Sequence, residues 1–200
     1  MIRYSLALTA LAGVSPLSAE VVETSEDGFV TRDTASVAAS PMETWLALTR
    51  PGQWWNDEHT WSADAANLTL EPQAGGCFCE RVPGEDRDDG FSLEGSVQHA
   101  TVVQAYPLRV LRMRGGLGPL QGEPATGILT ITLKEIDGGT RVLWEYNVGG
   151  PMRYEIPQIS QAVDGVMSQQ LAGLRDHLGA LGGAETVPAE AAPTGTPDSE

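Results

Sequence analysis

The chain has 200 residues and a formal net charge of −15 at pH 7. So acidic a chain repels nucleic-acid phosphates and anionic lipid headgroups, so we expect neither a nucleic acid nor a membrane surface as a partner. Its two cysteines are too few for the disulfide framework of a small secreted domain, and a chain of this length buries a core without one.

The first nineteen residues predict a secretory signal peptide. Arg3 precedes a mostly apolar run, and small residues that end at Ala19 provide a cleavage site. The apolar run is shorter than the roughly 20 residues that a membrane-spanning helix needs. We therefore expect a mature chain that begins at Glu20, lies in the periplasm or outside the cell, and has no inserted segment.

A strand and a short helical pair come next. The strand is predicted over about residues 28–39. Ser40, Pro41 and Glu43 then form a capping box with proline at the first helical position, which predicts a helix to about Thr49. A further turn and a long polar loop follow.

Six further strands are predicted, separated by turns rich in glycine and aspartate. Their ranges are about 68–71, 76–82, 91–105, 108–114, 126–136 and 140–148. Leu129, Ile131 and Leu133 alternate with polar residues, as in a strand with one face on a core and one in water. With the first strand, the chain is predicted to form a sheet of about seven antiparallel strands.

A long amphipathic helix is predicted at about residues 157–181, where an apolar stripe has helical spacing. The fold class is therefore α+β, with one curved sheet that buries its apolar face against this helix. Space between sheet and helix is a candidate ligand cavity. Residues 182–200 predict a disordered acidic tail, so the folded domain is expected to span residues 20–181.

This order of elements resembles the helix-grip fold of the START-like superfamily, also called SRPBCC, over almost all of residues 28–181. The resemblance lies in the ordered set of stretches SPMETWLALTRPGQWW, LEPQAGGCFCERV, GSVQHATVVQAYPLRVLRMRG, TGILTITLKEIDGGTRVLWEYNVGG and AVDGVMSQQLAGLRDHL. Two others, HTWSADAANLTLEPQAGGCFCE and GGLGPLQG, are similar to a bacterial branch that carries polyketide-cyclase and Hsp90-ATPase-activator labels. An exported protein would not meet Hsp90, so we do not expect that partner.

The resemblance implies an apolar small molecule, of lipid, isoprenoid or polycyclic type, held in the cavity. The chain has no dinucleotide fingerprint and no zinc-protease motif, and we expect no cofactor. The sequence therefore predicts a binding or carrier protein. A proton-transfer enzyme and a ligand-free interaction protein are the alternatives.

Cys77 and Cys79 are separated by one residue on a predicted strand. On a regular strand their Cβ atoms lie roughly 6.5 Å apart, whereas a disulfide needs about 3.8 Å, so a disulfide would require a bulge. A metal site with His99 is a further alternative, but it lacks an obvious fourth ligand, and we expect sheltered thiols and no metal. Either the cysteines or Phe78 and Glu80 face the cavity, and both arrangements stay open.

If Glu80 lies in an apolar cavity, its pKa is expected to be raised, which would suit a general acid or base. His99 shares a parity with Val97, Thr101 and Val103 on the next strand. Glu80 and His99 are therefore the candidate catalytic pair of a cyclase, dehydratase or isomerase. The alternative is a hydrogen-bonded pair that only supports the fold.

Aromatic residues cluster around the polar loop, which in the helix-grip fold lies near the cavity mouth. Flat rings there could hold a ring or polyene ligand. The glycine-rich residues 115–122 could form a gate over the cavity. The candidate ligand-binding residues are Trp54, Trp55, His59, Trp61, Phe78, Glu80, His99, Leu117 and Tyr146.

Overall fold

The structure is a computed structural model, and it describes residues 20–84, 90 and 92–181. The predicted signal peptide and the acidic tail lie outside these residues. The described chain forms one open antiparallel sheet of eight strands and two α-helices, so its class is α+β. Neither helix in this part of the chain has the length and apolar character that a membrane crossing requires.

The sheet has the strand order β1-β2-β8-β7-β6-β5-β4-β3, and all neighbouring strands are antiparallel. The strands are β1 (Glu20–Thr24), β2 (Gly28–Val37), β3 (Leu68–Leu70), β4 (Cys77–Val82), β5 (Gly95–Tyr106), β6 (Val110–Arg114), β7 (Thr126–Ile136) and β8 (Gly139–Gly149). The sequence prediction of about seven strands was wrong by one, because it omitted β1. That strand is an edge strand with four of its five residues exposed, so it has no buried face and no apolar alternation to reveal it.

The first helix, α1 (Pro41–Leu48), begins as its capping box predicts. The Ser40 hydroxyl accepts a hydrogen bond from the Glu43 backbone N–H, and the Glu43 carboxylate accepts one from the Ser40 N–H at 2.9 Å.

The predicted partner of α1 is not an α-helix. The chain instead makes three short 3₁₀ turns, at Pro51–Gln53, Asp57–His59 and Ala65–Asn67. Asn56 and Asp64 each accept a hydrogen bond from a backbone N–H two residues later, which caps a short turn and competes with a longer helix.

The second helix, α2 (Ile156–Leu178), crosses the inner face of the sheet, as the apolar stripe predicts. Leu171 and Leu174 are fully buried in its second half, and Gly179, with φ of 81°, ends it. Residues 179–181 then return to the end of β2, where the Leu181 N–H donates to the Ser36 carbonyl. The second half of α2 is thus held on the sheet.

Candidate ligand cavity and its polar wall

A cavity of about 360 Å³ lies between the first half of α2 and two loops. Apolar side chains from α2 form one wall, and residues of the 55–61 and 117–119 segments form the others. The lining residues are Trp55, Glu58, His59, Thr60, Trp61, His99, Leu117, Gly118, Pro119, Ile159, Ala162, Val163, Val166 and Met167. Its size is at the lower end of the range for small-molecule sites, about 300–1,000 Å³.

Five of the nine candidate ligand-binding residues line this cavity, namely Trp55, His59, Trp61, His99 and Leu117. The other four lie behind its wall. The sequence reasoning missed the contribution of α2, although the apolar stripe contained the signal. A stripe shows which face is buried, and it does not show whether that face meets the sheet or a cavity.

Trp54 and Phe78 belong to the core. The Trp54 indole N–H donates to the Ala47 carbonyl at 2.8 Å, and its ring packs on Trp144 with centroids 6.0 Å apart. The Phe78 ring lies between the rings of Trp55 and His99, at centroid distances of 5.4 and 5.1 Å. The Trp54 ring also lies 5.5 Å from that of Trp55. Trp54 and Phe78 therefore pack behind the lining residues Trp55 and His99 and do not line the cavity themselves.

Tyr146 holds the start of the predicted gate loop. Its hydroxyl donates to the Gly115 carbonyl at 2.8 Å and accepts from the Leu117 N–H at 3.0 Å. Burial raises the pKa of Tyr146, which therefore stays neutral and keeps its donor hydrogen.

The other end of that loop is held by Glu123. This buried carboxylate accepts hydrogen bonds from the Arg153 guanidinium at 2.7 and 2.9 Å and from the Arg153 backbone N–H at 2.9 Å. Hydrogen bonds from Arg153 hold the pKa of Glu123 below its usual value. The glycine-rich segment is thus a short 3₁₀ turn, Gly118–Gly122, fixed at both ends.

A β-bulge brings His99 into the interior. Phe78 pairs with Ala100 and Cys79 pairs with Gln98, so His99 is an extra residue of β5. His99 and Ala100 are adjacent and are both buried, at 7% and 5% exposure. The prediction that alternate residues of β5 share an inner face is therefore right for Val97 and His99. It is wrong beyond the bulge, where Val102 is the fully buried residue.

Cys77 and Cys79 form a disulfide next to this bulge, with their Cα atoms 5.3 Å apart. The expectation of unpaired thiols was wrong, because it assumed a regular strand in which those atoms are about 6.6 Å apart. Both cysteines are half-buried on the outer face, whereas Phe78 and Glu80 are 3% and 1% exposed on the inner face.

The thiolate–histidine metal site is also wrong. The two sulfurs are bonded to each other, and they lie on the sheet face opposite His99. In the described part of the chain, no group of three or more His, Cys, Asp or Glu side chains could hold a metal ion.

Glu80 and His99 do meet, as the sequence predicts. The Glu80 Oε2 atom lies 2.8 Å from the His99 Nε2 atom. The same carboxylate accepts hydrogen bonds from the backbone N–H groups of Trp61, at 3.1 Å, and Ser62, at 2.5 Å. Glu80 therefore holds the 55–61 loop and a histidine at the same time.

The expectation of a raised pKa for Glu80 was wrong. Burial is the largest single influence and raises the pKa, but hydrogen bonds from Ser62, Trp61 and His99 together outweigh it and lower the pKa. Glu80 is consequently a carboxylate at neutral pH. A carboxylate only accepts hydrogen bonds, so the His99 Nε2 atom carries the hydrogen between them.

A closed circuit of hydrogen bonds joins these residues to the gate loop. The His99 Nδ1 atom lies 3.4 Å from the Gln121 amide nitrogen, and the Gln121 oxygen accepts from the Trp61 indole N–H at 3.1 Å. The Trp61 backbone N–H donates to Glu80, which closes the circuit. Trp61 is 58% exposed, yet both of its N–H groups are fixed at the cavity mouth.

His59 is positioned by a glutamine that the sequence reasoning missed. Gln170 of α2 is fully buried, and its amide nitrogen lies 2.7 Å from the His59 Nδ1 atom. Nothing local predicts this contact, because its two residues are 111 positions apart.

No protein-family model and no curated protein matches the chain. Several solved structures do resemble it. An uncharacterized protein from Rhizobium leguminosarum has a TM-score of 0.54 and 18% sequence identity, over 76% of this chain and 95% of that chain. A Mesorhizobium loti protein has a TM-score of 0.51 and 18% identity, over 74% of this chain and 96% of that chain.

A protein from Mycobacterium smegmatis is similar to the same degree, with a TM-score of 0.50 and 19% identity over 76% of this chain and 91% of that chain. At such low identity these bacterial proteins show a common α+β fold, in which a large antiparallel sheet packs on a C-terminal helix. They carry no information on the ligand.

Proposed function

We propose that the protein binds or carries a small apolar molecule in the cavity between the first half of α2 and the 55–61 and 117–119 segments. The cavity itself supports this, because ten of its fourteen lining residues are Trp, Leu, Ile, Val, Met, Ala, Pro or Gly. Its volume suits one ligand of about drug size. The two tryptophans that line it, Trp55 and Trp61, provide flat apolar faces for a ring or polyene.

The fold assignment within this proposal is the helix grip of the START-like superfamily. The support is the element order, with a helical segment after β2 and one long helix across an antiparallel sheet. We further place the protein outside the cytoplasm. The predicted signal peptide supports export, and so does the Cys77–Cys79 disulfide, because disulfides persist mainly in oxidising compartments.

The 2.8 Å contact between Glu80 and His99 favours a second candidate function, a cyclase, dehydratase or isomerase. We place it second for a structural reason. Both Glu80 oxygens hold the loop through backbone N–H groups, and both His99 ring nitrogens have partners. The enzyme would become the preferred function if the native protein converted a bound ligand into a product. The His99→Gln variant should then bind that ligand with the same affinity but not convert it.

Filling the cavity tests the proposed function. Ala162→Trp places a large ring in the cavity from an exposed position of α2, and we expect it to abolish binding of the neutral probe N-phenyl-1-naphthylamine. Gln169→Trp is the matched control, since Gln169 is exposed on the same helix and does not line the cavity. If the fluorescence of the probe increases equally when it is added to either variant, the cavity does not bind it. That result would contradict the proposal and favour a ligand-free interaction protein.

A further inference from the structure

The orientation of the Gln170 amide is fixed by its surroundings. The backbone N–H of Asn56 lies 2.9 Å from the Gln170 Oε1 atom, and a backbone N–H can only donate. The oxygen of the amide therefore faces Asn56. Since Gln170 is fully buried, a reversed amide would leave this N–H against another donor, which is costly in the interior.

This orientation determines the tautomer of His59. The amide nitrogen of Gln170 faces the His59 Nδ1 atom at 2.7 Å and donates to it. In the neutral ring, Nδ1 is then the acceptor, and the ring hydrogen lies on Nε2. His59 is a lining residue of the cavity, and its Nε2 atom has no hydrogen-bond partner among the described residues.

The other polar side chains in the cavity wall already have hydrogen-bond partners, with one exception. The Thr60 hydroxyl donates to Asp57 and accepts from Asp64, and both ring nitrogens of His99 have partners. The exception is Glu58, an exposed lining residue next to His59 whose side chain has no partner among the described residues. A carboxylate at this position repels an anionic ligand and accepts a hydrogen bond from a hydroxyl.

We propose that His59 donates a hydrogen bond from Nε2 to an uncharged oxygen of the ligand, so that the cavity selects an apolar alcohol over the parent hydrocarbon and over a carboxylate. The proposal rests on the proposed function and adds its ligand class. Gln170 is the positioning residue, because it acts on the ligand only through the tautomer of His59.

Three probes with one ring system test this selectivity. They are 2-naphthol, naphthalene and 2-naphthoate, which present a hydroxyl, no oxygen and an anion. For the native protein, isothermal titration at pH 7 should show 2-naphthol binding about five- to tenfold more tightly than naphthalene, the gain from one hydrogen bond. Binding of 2-naphthoate should be the weakest. The ring ¹⁵N shifts of His59 should report the tautomer with hydrogen on Nε2.

Substitutions at His59 separate the hydrogen bond from packing. His59→Phe should abolish the preference for 2-naphthol and retain binding of naphthalene. His59→Gln should restore part of the preference, since its amide is also a donor. The control is His177→Phe, which removes an exposed histidine in the last turn of α2, and we expect native selectivity from it.

The outcomes distinguish the two proposals. If naphthalene binds and 2-naphthol gains nothing, or if 2-naphthoate binds best, the inference on ligand class is overturned and the proposed function stands. If His59→Phe weakens both neutral probes equally, His59 only packs against the ligand, and the inference is again overturned. If none of the three probes binds, the inference and the proposed function both fail.

Discussion

Glu80 connects a strand, a histidine and a loop through a single carboxylate. Its two oxygens accept from two backbone N–H groups and from His99. Because these bonds lower its pKa, the stability that they contribute is present above the unfolded pKa and is lost as pH falls through the folded pKa.

Replacing Glu80 by Gln should therefore destabilise the protein. The glutamine keeps one acceptor oxygen, and its NH₂ group would face a backbone N–H that has lost its partner. We expect a loss of about 2 kcal/mol and a decrease in Tm of about 4–8 °C, measured by thermal denaturation at pH 7.

Glu94→Gln is the control, because it breaks only an exposed pair with Arg81. An equal effect of the two substitutions would show that the Glu80 hydrogen bonds contribute no more than a surface ion pair.

At the residue scale, the sequence predicted which side chains meet better than it predicted how their surroundings shift a pKa. The proximity of Glu80 and His99 followed from strand adjacency, but the direction of the Glu80 pKa did not. That direction depends on two N–H groups from a loop eighteen and nineteen residues earlier in the chain. Loop conformation of this kind has no periodic signal, and so the environment of a buried carboxylate is hidden from the sequence.

The β4–β5 pair combines an outer disulfide with an inner functional residue. The disulfide joins Cys77 and Cys79, and the extra residue of the adjacent bulge is His99. A cross-link over two residues keeps β4 contracted at the point where β5 carries the additional residue. We infer that the disulfide stabilises the bulge and, through it, the contact between His99 and Glu80.

Removing the disulfide should therefore change the interior. In the Cys77→Ser/Cys79→Ser double variant we expect a loss of about 1.5 kcal/mol, as chain entropy predicts for so short a loop. The ring ¹⁵N resonances of His99 should also shift, because its distance from Glu80 changes.

Native protein that has been reduced with dithiothreitol should show both effects. Untreated native protein, in which Cys77 and Cys79 stay bonded, should show neither. If the His99 resonances are the same in the serine variant and the native protein, the bulge is independent of the disulfide.

Elements with a buried face were predicted well, and elements without one were not. The capping box located α1 to its first residue, and β7 and β8 alternate as expected because the sheet buries one face. The edge strand β1 and the 3₁₀ turns after α1 depend on pairing and capping contacts, which leave no repeating pattern.

On the scale of the whole molecule, the helix–sheet interface contains a buried carboxyl group, Asp33. Asp33 of β2 is 9% exposed and faces Ser168 and Arg175 of α2, with Asp164 also near. Burial is the largest influence and raises the pKa of Asp33, despite a hydrogen bond from the Thr34 N–H and the charge of Arg175. Because the folded pKa of Asp33 is raised, the contribution of this one group to stability is greatest at low pH and decreases as pH rises from the unfolded pKa through the folded one, opposite to that of Glu80.

Asp33→Asn should therefore stabilise the protein at neutral pH. Asparagine keeps the oxygen that accepts from Thr34 and removes the buried charge. We expect Tm at pH 7 to increase by about 2–4 °C, the effect of about 1 kcal/mol in a domain of this size. The difference from the native protein should disappear below the unfolded pKa of 3.8.

Glu135→Gln, an exposed change on β7, is the control and should alter Tm little at either pH. A decrease in Tm for Asp33→Asn at pH 7 would show that the Asp33 charge is stabilising, through Arg175.

The sequence predicted an α+β fold with a cavity between sheet and helix, because an apolar sheet face and an amphipathic helix must cover each other. It did not predict which part of the helix covers the sheet. That division depends on long-range contacts of α2 that have no local signal, such as Gly173, where an added β-carbon would collide with the carbonyl oxygen of Trp54 in the turn after α1.

Leu171 and Leu174 are buried in the second half of α2, which Gly173 brings close to the turn after α1, while Ile159 and Val163 of the first half face the cavity. The two halves of α2 therefore have different neighbours, although the chain just before the helix is also held, by the hydrogen bonds of Arg153 to Glu123. If the proposed function is right, a bound ligand would touch only the first half of α2, so that its entry and exit would leave the buried Leu171 and Leu174 in place.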